Sequence, residues 1–201
     1  MNSGGITNAI VLDFSKAFDK IPHDFLMQKL HQIGLHGNKR RWIQHFLTGR
    51  TQRVVIDGVE SEECEVTSGV PQGSVLGPLL FIIFINDIAA NVDPSTCIRL
   101  FADDALLYRR IDTHEDHEQL QDDLNTLTAW ADAWGMTCNT NKCYSMHIMT
   151  QQKRNHEVFI PYHMHRSELE RVKNTQYLGA SISEDLSWRT TMRWQQAEHM
   201  A

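Results

Sequence analysis

Arg99-Leu-Phe-Ala-Asp-Asp-Ala-Leu-Leu-Tyr108 sets two adjacent carboxylates, Asp103 and Asp104, between two short apolar runs. Each run is too short for a typical helix, and the acidic pair interrupts the apolar pattern where a hairpin would bend. The stretch therefore reads as a strand over Cys97 to Phe101, a second strand over Ala105 to Tyr108, and both aspartates at the turn between them. Adjacent like charges repel, so a buried pair needs a cation beside it. A tight turn on a rigid hairpin is a good mount for hard oxygen ligands to Mg²⁺. Taken alone, the same pair also reads as an ordinary solvated turn.

The 201 residues suffice for one large domain or two small ones. With 41% hydrophobic and 22% charged residues the chain is ordinary for a folded protein, which argues against global disorder. No apolar run approaches the roughly 18 residues that span a bilayer, and the N-terminus lacks a basic region followed by an apolar core. Four cysteines without a C-x-x-C pair read as free thiols in a reducing compartment. These features predict an intracellular protein of the nucleus or cytoplasm, neither secreted nor membrane-bound. His114 and His117, the nearest approach to a metal pair, read as the solvated start of a helix.

The net charge of −6 hides a division. Residues 1–53 carry +5, residues 54–150 carry −12 and residues 151–201 carry +1. The basic front, with Lys39-Arg40-Arg41, Arg50 and Arg53, is suited to a phosphate backbone. The acidic middle is not, unless metal ions neutralise part of it.

In chain order, Ala9-Ile-Val-Leu-Asp-Phe14 is a continuous apolar run that reads as a buried strand with Asp13 at its C-terminal end. His23-Asp24 opens a helix with Phe25, Leu26, Leu30 and Ile33 on one face, ended by Gly34. Asn38 caps a second helix whose stripe of Trp42, Ile43, Phe46 and Leu47 reads as core. Asp57-Gly58 marks the tip of a β-hairpin. Ser68 to Pro78 is a loop with three glycines and two prolines, which holds Gln72 between Pro71 and Gly73. Pro78 suits the first turn of a helix running to about Ala90. Thr113 caps a helix carrying Leu120, Leu124, Leu127, Ala131 and Trp134, ended by Gly135. Strand-like segments follow at Lys142 to Met149, Val158 to His163 and Asn174 to Ile182, and Ser187 onward reads as the start of a further helix.

This order resembles the palm of a template-directed polymerase, and its motifs resemble the reverse transcriptases of non-LTR (LINE-type) retrotransposons. The resemblance runs from about Ala9 to about Trp188. It rests on Ala9-Ile-Val-Leu-Asp-Phe-Ser-Lys-Ala-Phe-Asp-Lys-Ile-Pro-His23, on Ser68-Gly-Val-Pro-Gln-Gly-Ser-Val-Leu-Gly-Pro-Leu-Leu-Phe81 with Asn86-Asp87, and on Phe101-Ala-Asp-Asp104. Trp134-Gly-Met136 with Asn139-Thr-Asn-Lys142, and Tyr177-Leu-Gly179, complete the series. The resemblance implies an α+β fold, a palm-like antiparallel sheet with helices packed on one face. It implies a palm over residues 1–150, and over 151–201 the end of the palm, a primer-grip hairpin and the truncated start of a thumb. Fingers and thumb are expected to be largely missing.

The implied activity is RNA-directed DNA polymerisation, with an RNA template, a DNA primer and dNTPs as partners. Two Mg²⁺ ions, or Mn²⁺ in their place, would be held by Asp13 and Asp103, with Asp104 completing the triad. Phe18 would lie under the sugar and exclude a 2′-hydroxyl, and Gln72 and Gly73 would line the nucleotide. Lys142 matches a lysine proposed to protonate pyrophosphate, although Thr140 stands where the family usually carries proline. Tyr177, Leu178 and Gly179 would position the primer end. Phe18, and the absence of a glycine before the acidic pair, weigh against an RNA-dependent RNA polymerase. The second functional class is a truncated remnant that binds metal or nucleic acid without catalysis.

Overall fold

The computed structural model describes residues 5–149, 159–178 and 180–186. It divides into two compact units, one built from residues up to 14, 89–130 and 138 onward, the other from 15–88 and 131–137. The expected helix from Ser187, the polar loop at 151–156 and Gly179 lie outside the described residues.

The first unit is organised by strand β1 (Ile6–Asp13). Its apolar run is buried on both faces, with Ala9, Ile10, Val11 and Leu12 all in the core, as a continuous rather than alternating pattern requires. Strands β2 (Cys97–Phe101), β3 (Asp104–Ile111), β4 (Tyr144–Ile148) and β5 (Glu170–Arg171) join it in the order β5-β4-β1-β3-β2. All pairings in this sheet are antiparallel except β5 with β4, which is parallel. Two short hairpins follow, His163–Met164 with Ser167–Glu168 and Asn174–Tyr177 with Ala180–Ser183. The segment expected as one strand over Asn174 to Ile182 is thus folded back on itself, with Leu178 in the left-handed region at the bend (φ 52°).

Phe101 pairs directly with Asp104, so the turn between β2 and β3 contains only Ala102 and Asp103. The expectation that both aspartates occupy the turn is corrected. Two-residue turns with a left-handed first residue match the twist of the flanking strands; Ala102 takes that conformation (φ 51°) and Asp104 becomes the first paired residue of β3.

Helix α5 (His114–Ala133) begins as the sequence indicates. The Thr113 hydroxyl accepts from the Asp116 amide at 3.3 Å, and the Asp116 carboxylate accepts from the Thr113 amide at 3.0 Å, a reciprocal cap. Leu120, Leu124 and Leu127 are buried at helical spacing. His117 corrects the reading of a solvated helix start: it is buried, its ring stacks on Tyr162 with centroids 4.3 Å apart, and its Nε2 lies 3.1 Å from the Ile160 carbonyl. Burial holds its pKa below the usual imidazole range. Tyr162 also accepts from Asn8 Nδ2 at 2.7 Å, tying the segment after residue 159 to β1.

The second unit contains α1 (Ala17–Lys20), α2 (His23–Gln32), α3 (Gly37–Leu47) and α4 (Leu76–Ile85). In α2, Leu26, Met27 and Leu30 are buried, while Ile33 is exposed, contrary to the expected stripe. Lys29 is buried too. Its ammonium donates to the Phe84 carbonyl at 2.7 Å, pairs with Asp87 and lies 4.0 Å from the Trp134 ring centroid. In α3, Ile43 and Leu47 are buried but Trp42 is 59% exposed. Asn38 is not the cap of that helix; His36 holds the position without a side-chain cap bond. The hairpin Val55–Ile56 with Val59–Glu60 turns at Asp57-Gly58, as expected. Helix α4 stops at Ile85, and residues 86–90 form turns instead of the predicted last helical turn.

The glycine-rich loop is held against α1. Gly69 has φ +83°, and a Cβ there would lie 2.6 Å from the Asp19 carbonyl oxygen. Its amide donates to Ile21, while Val70 donates to Phe18, each at 2.8 Å. Only glycine permits that approach.

Candidate functional site

Asp13 ends β1 and is the direct antiparallel partner of Asp104, which opens β3. Side chains of directly opposed residues share one face of the sheet, with Cβ atoms about 4.5–5.5 Å apart. Asp103 adjoins them in the two-residue turn. Asp104 is partly buried. Burial raises its pKa above the usual carboxylate range, and the charges of Asp103 and Asp13 raise it further. Asp104 therefore senses both neighbouring carboxylates.

The segment after α5 completes the surroundings of Asp13. The Asn139 amide donates to the Asp13 carbonyl at 2.9 Å, and the Lys142 amide donates to the Asn139 carbonyl at 2.8 Å. This chain of bonds holds a single 3₁₀ turn, Thr140–Lys142, beside the end of β1. It brings Lys142 Nζ to 3.8 Å from Asp13 Oδ2, on a side chain that is otherwise largely in water. Cys143 is buried beneath, its Sγ 4.0 Å from the Asp13 carbonyl oxygen, and burial pushes its thiol pKa up, which makes it a poor nucleophile.

Tyr177 sits at the end of its hairpin strand, half-buried, with its phenol pKa raised first by burial and then by the Asp104 charge, against an opposing effect of Arg99. The Asp104 charge thus reaches the Tyr177 phenol. Leu178 is exposed at the bend. Arg99, on β2, was not singled out by sequence reasoning. Its charge acts on both Tyr177 and Tyr108, and the signal that would have found it is its place on the strand that leads into the hairpin turn, two residues before Phe101.

Phe18, Gln72 and Gly73 belong to the other unit. Phe18 stacks on Phe81 with centroids 4.3 Å apart and planes 12° from parallel. Gln72 Nε2 donates to Asp19 Oδ1 at 3.1 Å, so its exposed side chain is steered by α1. Gly73 follows in the left-handed region (φ 77°), in open space.

Asp13, Asp103 and Asp104 supply hard oxygens, and their mutual repulsion is the kind a cation relieves. The Lys142 ammonium at Asp13 shows that positive charge is accommodated there. Among the described residues no three His, Cys, Asp or Glu side chains are already gathered around one point. The residues suit a divalent ion in the chemistry of their donors: Asp13 and Asp104 are cross-strand partners, and Asp103 adjoins them in the turn.

An α+β fold whose antiparallel sheet carries a carboxylate at the end of its central strand and two more on the adjoining hairpin defines a polymerase palm-like protein. The family model described as reverse transcriptase (RNA-dependent DNA polymerase) matches residues 2–182, and the chain belongs to that family. Members of the family use divalent metal ions. The chain is 29% identical over 192 residues to the probable RNA-directed DNA polymerase from transposon BS of Drosophila melanogaster, covering 90% of this chain and 20% of that one. It is 30% identical over 185 residues to the RNA-directed DNA polymerase from mobile element jockey of Drosophila funebris, covering 89% and 20%. It thus spans about a fifth of the length of these relatives. Among solved structures, apo telomerase from Candida tropicalis, truncated from its C-terminal domain, has a TM-score of 0.61 at 12% identity, covering 90% of this chain and 35% of that one. That likeness concerns the fold alone. The expected resemblance to retrotransposon reverse transcriptases is borne out. No helix among the described residues is long and apolar enough to cross a membrane.

Proposed function

We propose that this chain is the palm of an RNA-directed DNA polymerase of a retrotransposon, joining dNTPs to a primer 3′-hydroxyl along an RNA template. The observation that carries the reading is the pairing of Asp13 with Asp104 across β1 and β3, with Asp103 in the adjoining turn. On this reading residues 1–150 are palm, and residues 151–201 hold the end of the palm, the primer-grip hairpin and the start of a thumb.

Asp13, Asp103 and Asp104 would hold two Mg²⁺ ions, or Mn²⁺, which when bound activate the attacking hydroxyl and neutralise the departing pyrophosphate. Lys142, beside Asp13, would give its ammonium proton to the pyrophosphate as general acid. Phe18, held by its stacking on Phe81, would exclude a ribose 2′-hydroxyl, and Gln72 and Gly73 would line the nucleotide. Tyr177, Leu178 and Gly179 would steady the primer end; the Asp104 charge felt at Tyr177 supports that role.

A chimera tests the reading. Residues 2–182 replace the matching segment of a jockey-type relative, and primer extension on an RNA template is measured with Mg²⁺ and dNTPs. Extension that disappears in Asp103→Ala supports the proposal. A folded chimera that never extends, although the parent does, contradicts it.

A further inference from the structure

The four residues Asn38, Arg41, Trp42 and His45 stand at i, i+3, i+4 and i+7 of α3, and all four are exposed. They form a continuous stripe beside the buried Ile43 and Leu47. Trp42 is 59% exposed, and its ring stacks on Phe46 one turn later, 6.1 Å between centroids and 18° from parallel. The indole is thus braced from one side with its body open to solvent. Arg41 Nη2 donates to Asn38 Oδ1 at 2.5 Å, which fixes the guanidinium on the same stripe. Lys39 is also exposed beside it.

The charge here is uncompensated. No Asp or Glu occurs between Asp24 and Asp57. Of the cations in that span, Lys29 pairs with Asp87 and Arg53 with Glu60. Among the described residues Lys39, Arg41 and Arg50 have no carboxylate in ion-pair reach; Arg50 donates only to the Leu47 and Gly69 carbonyls. Lys39, Arg40 and Arg41 moreover occupy the first turns of α3, where the helix dipole disfavours positive charge, and no acidic residue offsets them. Helix stability does not account for this arrangement, and neither does the core.

We infer that the Lys39/Arg41/Trp42 face of α3 is a binding surface for single-stranded RNA, with Trp42 as a stacking platform for an unpaired base and the two cations on the flanking phosphates. Uncompensated basic side chains around an exposed aromatic ring are what a flexible polyanion with free bases requires. The choice of RNA rests on the proposed function, because the unpaired strand in that reaction is the template; the surface itself does not depend on polymerase activity.

Fluorescence anisotropy with a labelled, unstructured single-stranded RNA tests the inference, using the whole 201-residue chain over a range of salt concentrations. Lys39→Glu/Arg41→Glu is expected to weaken binding by at least about tenfold at low salt and to flatten the salt dependence, each lost phosphate contact lowering the slope by roughly 0.7. Trp42→Ala is expected to weaken binding by about tenfold without changing the slope, and Trp42→Phe to restore most of the affinity. All three substitutions are at exposed positions, and matched circular dichroism melts establish that the fold is retained. RNA affinity equal to wild type in the charge-reversal variant, or in Trp42→Ala, overturns the inference. Equal or tighter binding of single-stranded DNA overturns the assignment to RNA. Loss of RNA binding in these variants stands even if the chimera described above never extends a primer, and a chimera that extends stands even if these variants bind RNA normally.

Discussion

Asp13 and Asp104 are direct cross-strand partners, two carboxylates on one face at the ends of the two central strands of the sheet. In a protein selected only for stability this position would carry a complementary pair, since favourable cross-strand pairs contribute about 0.2–1 kcal/mol and directly opposed like charges destabilise. The arrangement makes sense if charge is to be supplied by something that binds there.

That repulsion has a pH signature. The Asp104 carboxyl is held above its usual range by burial and by the charges of Asp103 and Asp13. The folded chain therefore keeps a proton that the unfolded chain has already released. Its contribution is favourable at acid pH and is lost as pH rises from the ordinary carboxylate range through the raised value. Asp104→Asn removes the penalty. In metal-free buffer at neutral pH it should melt higher than wild type, by up to about 4 °C. Below the ordinary carboxylate range the difference should vanish. Calorimetric melts at the two pH values check this, and a lower neutral-pH melting point for the variant would show that the carboxylate is a structural acceptor instead.

Phe18 gives a prediction about sugar choice. Its ring is immobilised by the stack on Phe81, so it can act as a wall. In the chimera, Phe18→Ala should raise incorporation of ribonucleotides relative to deoxynucleotides by about tenfold or more, equivalent to roughly 1.4 kcal/mol in the transition state. The readout is the ratio of kcat/KM for the two sugars, not activity alone. An unchanged ratio would assign Phe18 to packing.

The glycines of the loop separate two physical effects. Gly73→Ala meets nothing within 4 Å and is penalised only by its left-handed backbone, about 1 kcal/mol. Gly69→Ala carries that penalty and also drives a Cβ into the backbone of Asp19. Denaturant melts should rank Gly69→Ala well below Gly73→Ala, by an additional 2 kcal/mol or about that. Equal stabilities would mean that the loop does not seat on α1 as described.

Much of this architecture is legible in local chemistry. The unbroken apolar run before Asp13 calls for a strand buried on both faces, Asp57-Gly58 for a tight hairpin, and Thr113 for a helix start; each forms. What escapes the sequence is decided by neighbours. In α3 the pairs Trp42/Phe46 and Ile43/Leu47 both have core spacing, and only tertiary packing chooses the second. His117 looks solvated among acidic residues until Tyr162, distant in the chain, covers it. The assignment of Asp103 to the turn and Asp104 to the strand depends on a register that a symmetric Asp-Asp pair does not reveal. The influence of Asp104 on Tyr177 joins segments that share no local signal.

The most direct measurement is Mn²⁺ binding by electron paramagnetic resonance, with Mn²⁺ as the spectroscopic stand-in for Mg²⁺. It compares wild type with Asp13→Asn and Asp103→Asn. The account predicts that wild type takes up Mn²⁺, that Mg²⁺ competes for it, and that each substitution weakens binding by about tenfold or more. A wild-type chain that binds no Mn²⁺, or variants that bind it as well as wild type, would contradict the claim that these carboxylates form a metal site.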